Sequence, residues 1–549
     1  MSTSRERLKD AAALTLIIVL IAILYGRTLG FGFAYDDDPL IENNPYLKNP
    51  GYATAFFLTD MWRLSSMSAI SNYYRPLDMF SFYLDYKAWG LDPGRFHLTN
   101  LFIFTLASIL VYMAIRIITG QVAVSVAGAA LFVAHPVSGL AASWISGRNE
   151  PLFLIFGLSS FILFLKSSEA STSFRRILLY SLSAIMFALA LLSKETALLI
   201  LPLLAWYDIS FSADFSLKRF FKYAVNYIPL ALVAAIYLCV RFAALDGSAG
   251  IYMRHPENMP LIKCILLTIK SVPYYIKSLI FPFPLQFHAL KVPVVYEPGA
   301  SGIISTAGLL AFLIYYLMRF GLKFRKEIFF LGWAAITSVS VVFVAILMAP
   351  RYLIFPLIGL AAFTFLFLER TCRKSIFYAS ALILIISFGA ASYTVTSHWK
   401  DNKTLLDLMV KVYPNDVVVH WQLGSVYSLR GDYYNAIREY KEALNIDEGF
   451  SMARFNLGHA YYKTGKIYEA VVEFNKIAVS DPSMPQVHQA LAVIYKERDM
   501  LRKAIEMVIY ELSLCTADYE LMMNLLAELY ERDGQYKNAS TITKLILKY

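Results

Sequence analysis

Residues 98–118 run LTNLFIFTLASILVYMAIRII, with Arg116 as the only charged residue. A run of about 20 apolar residues crosses a bilayer core as a helix. Inside hydrocarbon only a helix or a closed barrel satisfies its own backbone. Comparable runs fall near 11–31, 121–136, 151–166, 177–193, 197–211, 223–241, 302–318, 327–348, 352–369 and 376–394. The reading is therefore an all-α, polytopic membrane domain of about eleven spans, the third and sixth of them short. Composition agrees: of 549 residues 58% are hydrophobic and 16% charged, and mean hydropathy is +0.53. No soluble fold of this size keeps so much apolar surface from water.

The net charge of +10 first suggests an anionic partner. Residues 399–549, however, hold 18 Lys/Arg against 20 Asp/Glu, which leaves 32 against 20 for residues 1–398. The positive excess belongs to the membrane part, where loop charge orients helices, and nucleic acid is not expected as a partner. With the N-terminus inside, the inner loops collect Arg5/Arg7/Lys9, Arg116, Lys166/Arg175/Arg176, Lys218/Arg219/Lys222, Arg319/Lys323/Arg325/Lys326 and Arg370/Arg373/Lys374. The run from Leu261 to Phe283 carries Lys263, Lys270 and Lys277 seven apart, the stripe of a helix lying in the outer interface rather than a twelfth span. The first helix is expected to remain uncleaved. Cys239, Cys264, Cys372 and Cys515 show no paired spacing, so neither a disulfide framework nor structural zinc is expected.

After residue 416 the pattern changes. Leu423-Gly424-x-x-Tyr427 recurs as Leu457-Gly458-x-x-Tyr461 and Leu491-Ala492-x-x-Tyr495, and Ala436, Ala470 and Ala504 keep the same interval of 34. A fourth unit, slipped by one residue, gives Leu526-Ala527-x-x-Tyr530, Gly534 and Ala539. This is the tetratricopeptide period, in which stacked helix pairs form a solenoid. The organisation read from the sequence is a membrane domain over 1–398 with a long first outer loop at 35–97, a connecting helix at 399–416, and about four repeats at 417–549, delivered to the outer side.

Polar residues gather at the outer ends of the spans. Tyr35-Asp36-Asp37-Asp38 opens the first outer loop. It reads either as a solvated loop start with a turn at Asp38-Pro39 or as the place of a general base. Arg75, Arg148 with Glu150, Lys194 with Glu195, and Arg351 reach the same side. Ionisable groups at span ends either snorkel and pair with one another or hold an anionic headgroup, for which Arg suits a bidentate grip. The histidines show no metal-ligand spacing, and His135-Pro136 reads as a structural histidine at a helix break. In the repeats Trp421, Phe455, His459 and Tyr462, with Gln489 and Lys496, fall on first helices and are candidates for acceptor binding or for packing between units.

The ordered set Tyr35-Asp36-Asp37, Asn43-Asn44-Pro45, Tyr74-Arg75-Pro76-Leu77, Gly94-Arg95-Phe96-His97, His135-Pro136, Gly147-Arg148, Ser193-Lys194-Glu195-Thr196, Arg351-Tyr352-Leu353 and Trp399 resembles the transmembrane-and-tetratricopeptide family of protein O-mannosyltransferases and their bacterial relatives, within the GT-C class. Where that pattern usually continues Ala-Asp after Gly-Arg, this chain has Asn149-Glu150. The resemblance implies a GT-C fold and a polyprenyl-phosphate sugar as donor. It implies Asp36 as base with Asp37 beside it, and Arg148, Lys194 and Arg351, joined by Arg75, around the donor phosphate. The partners expected are this lipid-linked sugar, membrane lipids, and a protein or peptide acceptor brought by the repeats. No cofactor and no metal are expected, since cations suffice for a lipid monophosphate. The expected location is an inner membrane with the repeats periplasmic, or the endoplasmic reticulum with luminal repeats. The alternative is a membrane-anchored repeat scaffold without catalysis.

Overall fold

The computed structural model describes residues 4–67, 71, 73–211, 225–247, 261–280, 290–291, 300–339, 347–484, 486–514 and 519–546. Lys218, Arg219, Lys222, His255, His288 and Cys515 lie outside them. The chain divides into two compact units, Met1–Asp401 and Asn402–Tyr549.

Among the described residues, each of the eleven apolar runs is at least partly helical in the first unit. Seven helices among the described residues are long and apolar enough to cross a membrane by themselves, including Pro93–Thr119, Ser173–Ser193 and Lys374–Lys400. The run at 121–136 is broken instead, with Val122–Ala134 and Pro136–Ser143 meeting at 63°. Pro136 supplies no N–H to continue the ladder. His135 fills the gap: its Nδ1 accepts from the Val137 N–H at 3.2 Å, and its Nε2 lies 3.1 Å from the Leu279 carbonyl. The expected structural histidine is what the chain builds there. Residues 200–211, 302–318 and 327–338 of three further runs lie on the helices Ile200–Phe211, Ala300–Phe320 and Arg325–Ser338. Large side chains fill the core between helices, including Phe104, Phe132, Phe153, Phe187 and Trp333. At Gly359 the backbones come so close that a Cβ would stand 2.6 Å from the Phe330 carbonyl oxygen.

The segment between Gly30 and Pro93 folds on a small apolar core in which Phe33, Leu40, Ile41, Leu47, Phe56, Met61 and Phe82 are joined by Phe96 and Ile145. Asn44 pins it: the side-chain oxygen caps Tyr46 and Leu47, and the amide donates to the Leu40 and Leu64 carbonyls at 3.0 and 2.8 Å. Its last helix, Pro76–Trp89, brings Asp78, Ser81, Phe82 and Asp85 inward.

In the second unit the helix Asn402–Val412 precedes four helix pairs, Val417–Leu429 with Tyr433–Ile446 through Tyr519–Arg532 with Tyr536–Ile546. The small residue of each signature permits close approach. A Cβ on Gly424 would meet the Tyr440 ring at 2.6 Å, and one on Gly458 the Phe474 ring at 2.8 Å. Gly431, Gly465 and Gly534 turn between the paired helices at φ of 77°, 77° and 74°, where L-residues are strained.

Candidate active site

The three adjacent carboxylates go to three different places. Asp37 is fully buried and ties the segment between Gly30 and Pro93 to the turn before Asn149–Ser168. Its carboxylate accepts from the Ala34 N–H at 3.0 Å, the Ser146 N–H at 2.8 Å and the Ser146 hydroxyl at 2.5 Å. Burial pushes its pKa up to about 7, and the charge of Asp36 adds to the rise. Asp38 opens a short helical turn and accepts from the Asn43 amide at 2.5 Å. Asp36 stays half-buried and lies close enough to Arg351 for the two charges to act on each other.

The four sequence-predicted cations also differ. Arg148 is fully buried and every guanidinium nitrogen is engaged: Nε with Asn100 Oδ1 at 2.6 Å, Nη1 with Ser81 at 3.2 Å, and Nη2 with the Phe96 carbonyl at 3.2 Å and Asp85 at 2.6 Å. It clamps the helix Pro76–Trp89 to the spans. Lys194 forms a buried ion pair with Glu150, and burial lowers its pKa. Arg75 pairs with Glu195 at 3.2 Å and lies 4.3 Å from the Tyr73 ring centroid. Burial works to raise the Glu195 pKa, but Arg75 and the other nearby cations bring it down to about 2. Arg351 has no ion pair with a carboxylate among the described residues and rests on the rings of Trp144 and Tyr352. The chain thus brings Asp36 and Arg351 together, places Arg75 and Lys194 in one electrostatic cluster, and turns Arg148 inward.

Several members were missed by reading motifs. Asp78 is fully buried among Arg75, Arg148 and Glu150, and burial lifts its pKa to about 7. Tyr73 stands among Tyr352, Arg351 and Arg75 and is pushed up to about 12, first by Tyr352 and then by burial. Trp144 stacks on Trp399 at 5.2 Å, and the Tyr35 ring meets Trp144 at 6.1 Å. Tyr73 and Asp78 each adjoin the motif Tyr74-Arg75-Pro76-Leu77, and that adjacency was the available signal; Tyr352, Tyr35 and Trp399 lie within motifs already read, but without a role. Among the described residues no three His, Cys, Asp or Glu side chains cluster as metal ligands.

In the repeats Phe455 packs on His459 and Phe474 at 4.8 and 5.6 Å, and Trp421 lies edge-on to Phe450 at 6.0 Å. Tyr462 donates to Glu497 at 2.6 Å and Lys496 pairs with Glu528 at 2.9 Å, both ties to the following helices of the array. These residues share first helices, and they also serve the packing between units.

A family model described as TPR repeat matches residues 424–465. A protein O-mannosyl-transferase of Caenorhabditis elegans is 27% identical over 459 residues, covering 80% of this chain and 63% of its own length. The human protein O-mannosyl-transferase TMTC3 is 21% identical over 86% of this chain and 55% of its own. The chain therefore spans little more than half the length of the curated relatives it matches. Among solved structures, the archaeal oligosaccharyltransferase AglB from Archaeoglobus fulgidus, in complex with an inhibitory peptide and a dolichol-phosphate, has a TM-score of 0.44 at 14% identity, covering 75% of this chain and 59% of its own.

Proposed function

We propose that this chain, whose homologues are named protein O-mannosyl-transferases, is a GT-C-type membrane glycosyltransferase that moves a sugar from a polyprenyl-phosphate donor to a protein hydroxyl on the extracytoplasmic side. The observation that supports it most is the unlike fate of three adjacent acids. Asp37 is bonded to Ala34 and Ser146 and Asp38 to Asn43, whereas Asp36 acts on Arg351, a cation with no carboxylate ion pair among the described residues.

In this reading the acceptor oxygen attacks the anomeric carbon while Asp36 takes its proton. The bond from that carbon to the phosphate oxygen breaks, and the phosphate leaves with the electron pair. Arg351 meets the charge that grows on the departing oxygen, with Arg75 and Lys194 adding to the local positive potential. One displacement inverts the anomeric configuration. Arg148 acts as a positioning residue through Asp85 and Asn100. These cations carry the charge of a monophosphate without a metal, so chelation should leave the rate unchanged. The repeat array, through Trp421 and His459 above all, would collect acceptor near the membrane and raise its effective concentration.

The test is transfer by the purified chain in liposomes from polyprenyl-phosphate mannose to a serine- or threonine-bearing peptide. An inverted glycosyl peptide is expected. No transfer from any polyprenyl-phosphate hexose would favour the non-catalytic scaffold instead.

A further inference from the structure

Arg351 is the cation of the site that is stored on aromatic rings rather than on an acid. Its guanidinium carbon lies 5.5 Å from the Trp144 centroid and 5.2 Å from that of Tyr352, and its one side-chain hydrogen bond among the described residues is to the Tyr352 hydroxyl at 3.4 Å. A guanidinium within about 6 Å of an indole centroid is held by the ring quadrupole, less strongly than by a charge-assisted pair with a phosphate. Trp144 is itself fixed: its ring stacks on Trp399, its carbonyl accepts from the Asn100 amide at 3.1 Å, and a Cβ on Gly147 would touch it at 3.0 Å. The indole N–H groups of Trp144 and Trp399 are both shielded from solvent, the residues being 8% and 3% exposed, yet neither has an acceptor among the described residues. A buried donor without an acceptor calls for a physical reason, and two of them in one stack call for one more strongly.

We propose that Trp144 is the resting platform of Arg351 and a specificity residue for the transferred sugar. When the lipid phosphate enters, the guanidinium moves from the indole to the phosphate oxygens, and the uncovered ring with its N–H meets the hexose. An indole offers a flat apolar face and one donor, which complements the C–H face and hydroxyl groups of a pyranose. This inference rests on the reading of Arg351 as the donor-phosphate residue, and that reading is tested separately.

The experiment measures binding of two probes to the detergent-purified full chain: a polyprenyl phosphate, and the same lipid phosphate carrying mannose. Removing the platform frees Arg351 in the unliganded protein, so Trp144→Leu should bind the bare lipid phosphate more tightly, by about two- to tenfold. The same variant should lose the preference for the mannosylated lipid. Trp144→Phe keeps a weaker ring and should fall between wild type and Trp144→Leu on both measures. It serves as the reporter if the leucine variant does not fold. The intrinsic fluorescence change on lipid binding should shrink in Trp144→Phe. Equal weakening toward both probes in a folded Trp144 variant is what a purely structural role produces, and it would overturn the inference while leaving Arg351 in place. Undiminished lipid-phosphate binding by Arg351→Gln would overturn the donor-phosphate reading, and the inference with it.

Discussion

In the repeat array His420, Arg454 and His488 stand 34 residues apart on successive first helices. They face Glu439, Glu473 and Glu511 at 2.9, 2.8 and 3.6 Å. In the membrane unit Arg75–Glu195, Lys194–Glu150 and Arg148–Asp85 follow no interval. Among the described residues, buried polar atoms without a hydrogen-bond partner occur in both units: Arg75 Nε, Glu150 Oε2, Glu195 Oε2 and the indole nitrogens of Trp144 and Trp399 in the first, and His488 Nδ1 and the Trp421 indole nitrogen in the second. A charge pair that serves packing recurs with the packing, because each unit repeats the same interface. A cluster of buried charges that occurs once has no repeated interface to explain it, and such clusters gather at functional sites.

The contrast can be broken most directly at the pairs themselves. Lys194→Met strands a buried Glu150 and should destabilise the membrane unit by roughly 3–5 kcal/mol, read as thermal unfolding in detergent. Adding Glu150→Gln should recover much of that. Arg454→Met, at a pair that water partly reaches, should cost only about 1–3 kcal/mol. Equal costs would erase the distinction.

Next in size is the chemistry. Asp36→Asn should slow transfer at least ~100-fold, about 2.7 kcal/mol of transition-state stabilisation, with expression and folding unchanged. Full activity of that variant would remove Asp36 from the reaction. Asp38→Asn should be much milder, since its carboxylate is occupied by Asn43.

A smaller effect is expected at Gly458, where a new methyl would press on Phe474 at 2.8 Å. Gly458→Ala should cost about 1–3 kcal/mol in the array, by calorimetry, and leave transfer to a short peptide intact.

The smallest effect is a pH slope of opposite sign in the two units. Asp37 and Asp78 have folded pKa values raised from 3.8 to about 7. The folded state thus binds more protons, and this contribution to stability is lost as pH rises from about 4 to about 7. His488 is lowered below its ordinary 6.5 by burial, so it favours the folded array above that value and loses this contribution on acidification. Hydrogen exchange of the full chain, corrected for intrinsic rates at about pH 5 and about pH 7, should show the segment between Gly30 and Pro93 less protected at the higher pH and the third repeat more protected there. The same slope in both units would contradict the burial of these groups.

The helices and the repeat period were legible in the sequence alone. Apolar runs of spanning length and an interval of 34 are set by the local geometry of the helix and by stacking of like units, and both are written along the chain. The sequence could not tell Asp36 from Asp37, because the difference lies in a contact with Ser146, 109 residues away. Nor could it show that Arg148 is enclosed by residues of the helices Pro76–Trp89 and Pro93–Thr119 while Arg351 rests on Trp144. Whether a charge is paired, stored or left available depends on which distant groups exclude water from it. Only the packing of the spans brings those groups together.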